Sequence, residues 1–372
     1  MQKRLKIFLD HQIFTIQNFG GISRVFTELY KEFKKSDVIE PILPMQFSDN
    51  EYIDEIKGVR SVFKKKRFFL KTLFYYFINR IYSTLVLIKG DFDIFQPTYY
   101  DPYFLPFLGK KPFVLLIHDM THEIFPEAIS LKDRTIEWKK KLVYKADRII
   151  TISENTKRDI LKFYDIEESK ITVVSWGTSI VVKKTNIELP DRYILFVGNR
   201  TNYKNFEFFF KSVVPLLKKE KDLYLVCAGS SNFSEEEKKM IEESGVSNRV
   251  KHIRFRDEEL GYIYSKAVCF VFPSLYEGFG IPVLEAFACN CPAVISNTSS
   301  LPEVGGNAVE YFNPKDIKSI ESSVRRVVND EVLRKEMIRK GKERLKMFGW
   351  EKTSKEFLNV YNEIIEERGN ND

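Results

Sequence analysis

Short apolar runs, each closed by a turn, recur along the first half of the chain: LKIFLD at 5–10, FDIFQP at 92–97, FVLLIHD at 113–119, RIITIS at 148–153 and ITVVS at 171–175. Runs this short and this continuously apolar predict strands covered on both faces, as in a parallel sheet. Behind the pair Gly20-Gly21, the residues Ile22, Val25, Phe26, Leu29, Tyr30 and Phe33 recur at helical spacing. That spacing predicts an amphipathic helix turned toward a sheet, so strand, glycine turn and helix open a βαβ unit. Residues 176–192, WGTSIVVKKTNIELPDR, lose the periodicity and carry a charge cluster and a proline, which predicts an interdomain linker. A second series follows, with YILFVG at 193–198, LYLVCAG at 223–229, CFVFP at 269–273 and PAVIS at 292–296, alternating with helical segments. From Ile317 to Arg368 the pattern is mostly helical, and no short repeat of solenoid type is present. The expected fold class is α/β, with two Rossmann-like doubly wound domains facing a cleft: residues 1–180, completed by a helix at 352–372, and residues 190–350.

Composition narrows this picture only slightly. The 372 residues include 59 Lys and Arg against 52 Asp and Glu, a net charge of +7, and 44% are apolar. The length suits two domains and the apolar fraction excludes a disordered chain. The modest positive charge favours anionic partners without choosing among nucleic acid, a membrane surface and a phosphorylated metabolite. Cys227, Cys269, Cys289 and Cys291 form no CxxC pair and have no histidine at zinc-finger spacing, which argues against a disulfide scaffold or structural zinc and fits a cytoplasmic protein. At the N-terminus Asp10 and His11 interrupt the apolar run before a secretory signal develops. The most apolar stretch, Leu73 to Ile88, contains Asn79 and Arg80 and falls short of a membrane span. Just before it, Lys64, Lys65, Lys66 and Arg67 precede Phe68, Phe69 and Leu70. This combination suits either an anionic membrane surface or the solvated end of a packed helix.

The strongest chemical signal is SLYEGFGIPVLEAFA at 274–288, directly after the run CFVFP. Pro282 suits the first turn of a helix, which places Glu277 in the preceding loop and Glu285 in that first turn. Gly278 and Gly280 let the backbone approach a ligand, and the helix start offers N–H groups to an anion. Two carboxylates at such a place are better suited to accept hydrogen bonds from the hydroxyls of a sugar or ribose than to bind phosphate. A second signal is VGNRTNYKN at 197–205, where Arg200 and Lys204 lie beyond a strand ending in Gly198. A guanidinium fork and a compact ammonium together suit a diphosphate leaving group.

The pattern Glu277-Gly278-Phe279-Gly280-x4-Glu285 resembles the E-x7-E signature of retaining glycosyltransferases with the GT-B fold, specifically glycosyltransferase family four. The likeness covers most of the chain: Gly20-Gly21 before a helix, His118-Asp119 after a strand, Ser153-Glu154, Arg200 with Lys204, and the two glutamates come in that family's order. The segment HDMTHEIFP at 118–126 is similar to that of the bacterial branch containing O-antigen mannosyltransferases. The resemblance implies sugar transfer from a nucleotide diphosphate donor, GDP-mannose ahead of a UDP-sugar, with retained anomeric configuration, no cofactor and no metal. It implies an acceptor-binding first domain, a donor-binding second domain, and a glycan or lipid-linked oligosaccharide acceptor in surface polysaccharide assembly. It further implies that Glu285 binds the donor ribose and that Glu277, with the backbone at Gly278, Phe279 and Gly280, holds the donor sugar. Arg200 and Lys204 would neutralise the diphosphate, Gly20 and Gly21 would let the first domain approach the phosphates or the acceptor, and His118 would lie near the sugar hydroxyls. HIRFRDEEL at 252–260 departs from the pattern where the nucleobase usually sits, although Phe255 would still pack against the base edge.

Competing readings keep the fold and change the reaction to epimerisation or hydrolysis of a nucleotide sugar, or remove the reaction and leave a basic protein that binds a membrane surface or nucleic acid. No nucleic-acid-binding signature is present. Asp91-Phe92-Asp93 matches a metal-binding DxD pattern but leads straight into the run DIFQP, where an aspartate would cap the strand or point into the sheet.

Overall fold

A computed structural model describes residues 4–55, 70–128, 130, 133–200, 202–229 and 231–369; the basic run Lys64–Arg67 with Phe68 and Phe69 lies outside them. The chain divides into two compact units, residues 1–176 with 350–372, and residues 177–349.

The first unit contains β1 (Leu5–Leu9), β2 (Ile39–Ile42), β3 (Ile94–Gln96), β4 (Val114–Ile117), β5 (Arg148–Thr151) and β6 (Ile171–Val173). All pairings are parallel, in the orders β2-β1-β3 and β4-β5-β6, and a bridge between Phe95 and Phe113 joins the two sets. Phe8 stands opposite both Ile42 and Phe95, which fixes the register of β1 between its neighbours. The helix Gly21–Lys35 buries Val25, Phe26, Leu29 and Phe33, the stripe expected from its spacing. The core between sheet and helices is aromatic, with Phe8, Phe95 and Phe104 fully buried beside Phe113. The last helix, Trp350–Gly369, belongs to this unit: Phe357 stacks on Trp176 at 6.0 Å and the Tyr361 hydroxyl donates to Gln96.

The second unit contains β7 (Tyr193–Val197), β8 (Tyr224–Ala228), β9 (Val250–Ile253), β10 (Cys269–Phe272), β11 (Ala293–Ser296) and β12 (Glu310–Phe312). They form one parallel sheet in the order β12-β11-β10-β7-β8-β9. The order reverses between β7 and β10, and in an open α/β sheet ligands bind outside the carboxyl ends of the strands at such a point. The helix Phe206–Lys219 buries Phe206, Phe209, Phe210, Val213, Leu216 and Leu217, and the four free cysteines are all buried.

Three strands, β2, β9 and β12, were not expected from the sequence, and each lies at an edge in the strand order. An edge strand has one neighbour and need not be covered on both faces, so it lacks a continuous apolar run. The sequence of β9, VKHI, has no fully buried residue, and β2 contains Pro41, which is tolerated where no second neighbour needs its N–H. Residues 174–190 contain neither helix nor strand.

Candidate functional site

In the second unit the loops after β7, β10 and β11 are tied to one another. Asn205 adopts a left-handed conformation, φ 59°, and its side-chain amide donates to the carbonyls of Pro273, at 3.2 Å, and Pro314, at 2.8 Å. The N–H of Leu275 donates to the carbonyl of Tyr203 at 2.8 Å. From β11's side, the N–H of Glu277 donates to the Ser299 hydroxyl at 3.0 Å, and the Ser300 hydroxyl is shared between the carbonyls of Glu277 and Phe279 at 2.8 and 2.7 Å. The backbone around Glu277 is therefore held by side chains from both neighbouring loops, the kind of rigid support a binding group needs.

That support brings Lys204 and Glu277 together: the ammonium Nζ lies 2.6 Å from the carboxylate Oε1, with both side chains mostly buried. The Tyr203 and Phe272 rings flank the Lys204 cation at 5.0 and 5.6 Å. Gly280 has φ 126°, a conformation L side chains rarely adopt, and a Cβ there would lie 2.9 Å from a Leu301 methyl. The glycine is thus required by the backbone turn and by the neighbouring helix as well as by any ligand. Phe279 is buried against Phe348 at 5.9 Å, so it offers a ligand its backbone rather than its ring.

Glu285 differs from its expected place. The helix runs Ile281–Ala288, with Pro282 in its first turn, so Glu285 falls in the second turn; it is 4% exposed and accepts a hydrogen bond from the Tyr264 hydroxyl at 3.2 Å. Tyr264, from the helix Asp257–Lys266, is the partner that the sequence reading missed. Its spacing from Glu285 depends on tertiary packing, and no local signal marks it. Ser299-Ser300 did have a signal, a polar pair between a strand and the proline-led helix Leu301–Gly305.

Arg200 is placed apart from the Lys204–Glu277 pair. Its Nε lies 2.8 Å from Glu237, its Nη2 donates to the carbonyls of Ser231 and Asn232 at 2.9 and 2.7 Å, and its plane covers the Phe233 ring at 4.8 Å. The side chain is 5% exposed and borders a separate cavity of about 610 Å³ with Asn199, Glu236 and Met240. Sequence proximity to Lys204 did not bring the two cations side by side, because the loop beyond β8 supplies acceptors for the guanidinium. Phe255 is half-buried in the turn between β9 and the helix Asp257–Lys266.

In the first unit His118 follows β4 directly, at the carboxyl end of the sheet. It is 7% exposed, its ring lies edge-on to Phe26 at 5.9 Å, and its Nε2 is buried without a hydrogen-bond partner. An orphan of this kind costs about 1–3 kcal/mol, which a ligand hydroxyl would offset. Burial, opposed by the Asp119 charge and reinforced by that of Lys139, lowers its pKa to about 4, so the imidazole is neutral at pH 7. Asp119 is held below the usual carboxylate range: burial pushes it up, and the Lys139 charge and hydrogen bonds from Thr121 outweigh that. Lys139 in turn donates to Glu123 at 2.9 Å and to the Asp119 carbonyl at 3.1 Å. Gly20 sits against the Gln17 side chain, whereas a Cβ on Gly21 would meet nothing within 4 Å, so the helix start at Gly21 borders open space.

The His118 shift has a measurable consequence. Between pH 6.5 and about 4 the unfolded chain binds a proton there that the folded chain refuses, so stability falls as pH falls through that window. At pH 5 the loss from this residue is about 2 kcal/mol relative to pH 7. Urea unfolding at the two pH values should show a difference smaller by that amount in His118→Phe; an unchanged difference would mean that His118 titrates normally.

The sequence reading also missed a cavity of about 710 Å³ at the ends of β1 and β3, lined by Gln12, Tyr76, Arg80, Asp101, Tyr103 and Trp138 among others. Gln12 bridges the two loops, donating to Asp10 at 2.7 Å and accepting from the N–H of Asp101 at 2.8 Å. Asp10 also accepts from the N–H of Thr98 at 2.8 Å, and its burial, against these hydrogen bonds, raises its pKa to about 6. Aromatic faces with a few fixed polar groups are a common lining for a sugar-sized ligand. Asp91 and Asp93 instead pin the adjacent strand: Asp91 pairs with the Lys6 ammonium at 2.7 Å and Asp93 accepts the Lys6 N–H at 2.8 Å. Among the described residues no group of three His, Cys, Asp or Glu side chains is placed to hold a metal ion.

Comparison with known proteins gives these two units a common identity. Residues 19–180 match the model of Glycosyltransferase Family 4 and residues 179–344 that of Glycosyl transferases group 1. The chain is 28% identical over 290 residues to the O-antigen chain mannosyltransferase B of Escherichia coli, covering 73% of this chain and 74% of that protein. It is 29% identical over 262 residues to the O-antigen chain mannosyltransferase RfbU of Salmonella typhimurium, covering 69% and 71%. In structure it is similar to the sucrose-phosphate synthase of Thermosynechococcus elongatus, with a TM-score of 0.74 at 17% identity over 97% of this chain and 99% of that one. Both family models describe sugar transfer, which leaves the epimerase, hydrolase and non-enzymatic readings without support. With a Glycosyltransferase Family 4 match on its first unit and a group 1 match on its second, the chain is a family-four-like glycosyltransferase of the GT-B fold.

Proposed function

We propose that this glycosyltransferase moves a hexose, with mannose the leading choice, from a nucleotide diphosphate sugar to a glycan or lipid-linked oligosaccharide during surface polysaccharide assembly. The mannosyl choice and the polysaccharide context rest on the relatives named above, both O-antigen chain mannosyltransferases, and make GDP-mannose the first donor to try, with UDP-sugars next. The observation that carries the site is the Lys204–Glu277 pair, held by three loops at the carboxyl ends of β7, β10 and β11.

In the proposed reaction Lys204 meets the negative charge that grows on the departing diphosphate, while Glu277 accepts hydrogen bonds from the donor sugar. The bond from the anomeric carbon to the phosphate oxygen breaks first, and the acceptor hydroxyl enters on the same face. A new glycosidic bond forms there, and the acceptor's proton passes to the departing phosphate oxygen, so configuration is retained without a protein nucleophile or a metal. Glu285 accepts from the ribose hydroxyls, and His118, neutral and with an unpartnered Nε2, offers a hydrogen-bonding group to a sugar hydroxyl. Arg200 directs its Nε and Nη2 at Glu237 and two carbonyls, so diphosphate binding through those two nitrogens requires exchanging those partners. The aromatic cavity of the first unit is the proposed acceptor pocket. The enzyme would work at the cytoplasmic face of the membrane.

A thermal-shift panel with GDP, UDP, ADP, dTDP and CMP and their sugar conjugates, with and without magnesium, tests this reading. A ligand at a hundredfold excess over its Kd stabilises the native state by about 2.7 kcal/mol. One nucleoside diphosphate should raise the melting temperature selectively and independently of magnesium. A shift that requires magnesium removes the metal-free scheme, and no shift with any of them removes the donor reading.

A further inference from the structure

The helix Leu70–Lys89 turns Leu73, Phe74, Phe77, Ile81, Leu85 and Ile88 outward, each between 44% and 64% exposed. On a helical projection they occupy an arc of about 120°, and from Leu73 to Ile88 the stripe runs about 22 Å. Thr84 is the one polar side chain within that arc. The opposite face is anchored: Asn79 accepts from the N–H groups of Gln46 and Phe47 at 2.9 and 3.1 Å, Ser83 bonds to Tyr103 at 2.8 Å, and Tyr75 stacks on Phe47 at 5.4 Å. The apolar stripe therefore faces away from the unit's own core. A soluble monomer rarely presents a continuous apolar strip of this extent without a partner for it.

Charge identifies the partner. The helix contains Lys71, Arg80 and Lys89 and no acid, and the sequence immediately before it, residues 56–69, contains six Lys or Arg and no Asp or Glu. Lys71 pairs with Asp49 at 2.5 Å and Arg80 with Asp101 at 3.3 Å, and the exposed Arg80 and Lys89 border the stripe on its two sides. A second copy docked face to face would bring like charges together. No helix among the described residues is long and apolar enough to cross a membrane. We propose that this face lies on an anionic lipid surface, with the apolar side chains at the boundary of headgroups and acyl chains and Arg80 and Lys89 toward the lipid phosphates. Tyr76 and Arg80, at the margin of the same helix, also line the cavity proposed for the acceptor. A docked helix would thus hold that cavity at the headgroup layer, where a lipid-anchored glycan is presented. This last consequence rests on the acceptor reading; the docking does not.

Flotation of the whole chain with vesicles of phosphatidylcholine alone, or mixed with phosphatidylglycerol, tests the proposal. The protein should float with the anionic vesicles, less so at high salt, and Phe77→Glu with Leu85→Glu should lower vesicle affinity by about tenfold or more. The milder pair Leu73→Ser with Ile88→Ser serves if the first variant folds poorly, as judged by its melting temperature. Failure to float, or equal flotation of folded variants, would overturn the proposal. So would a wild-type dimer that the substitutions dissociate in the absence of vesicle binding, or a loss of melting temperature without vesicle binding, which would show the face covered by the chain itself. Nucleoside diphosphate binding, read on the same samples, reports separately on the transferase reading.

Discussion

Lys204→Ala should lower the rate of sugar transfer by about 10²- to 10³-fold, with the greater part of the loss in kcat. The reason is geometric. The ammonium is fixed by the 2.6 Å contact with Glu277 and by the two flanking rings, so its position is set before the donor arrives. A charge that is already oriented needs little reorganisation as the leaving group becomes anionic, and its value is greatest where water is partly excluded. Lys204→Arg should recover only part of the activity, because the planar fork does not reproduce a compact charge held between two rings. Steady-state kinetics with varied donor separates the outcomes. Turnover near that of the wild type would remove Lys204 from the leaving-group role, and a change confined to KM would reassign it to ground-state binding.

The second large effect is expected at Glu285, where replacement by Gln should weaken nucleoside diphosphate binding by about 10- to 100-fold. A hydrogen bond to a carboxylate contributes about 1.5–3 kcal/mol, and the neutral amide retains only part of it. Gln is the informative substitution because its amide oxygen still accepts from Tyr264, whereas Ala would leave that buried hydroxyl unpaired. Titration calorimetry should show the weaker binding with melting temperature nearly unchanged. An unaltered Kd would show that Glu285 serves Tyr264 and the packing of the helix rather than a ribose.

The sequence was legible where a residue's environment repeats along the chain. The interior strands β1, β5, β7, β8, β10 and β11 stood out as apolar runs because each has neighbours on both sides and is largely buried. The edge strands β2, β9 and β12 escaped notice because partial exposure removes that run, whereas the edge strand β6 was read from ITVVS. The E-x7-E segment was legible for a different reason: two glycines, a proline and two carboxylates within a few residues constrain backbone and chemistry together. The spacing alone, however, placed Glu285 in the first turn; a proline is accepted at either of the first two helical positions, and with Pro282 at the second, Glu285 moves one residue on, into the second turn.

Partnerships between distant segments were not legible. Lys204 meets Glu277 across 73 positions and Tyr264 meets Glu285 from a separate helix, while Arg200, only four residues from Lys204, turns to Glu237. Which cation stands by which carboxylate is settled by the loops that cross at the ends of the strands. The cavity of the first unit depends on Gln12 bridging to Asp101 over 89 positions, a contact no local pattern encodes. The outward stripe on Leu70–Lys89 was visible only as a hydrophobic stretch; tertiary packing decided which of its faces the core would cover.

By itself, then, the sequence determined the α/β class, the two series of parallel strands, and the chemical types gathered near residues 200 and 280, because hydrophobic periodicity and backbone-restricted residues act locally. Only the tertiary structure decided the partner of each charged group, the depth of Glu285 and the face left uncovered on Leu70–Lys89. Those outcomes depend on segments brought together by the packing of sheets and helices, where burial and hydrogen-bond satisfaction choose among pairings that the sequence alone leaves equivalent.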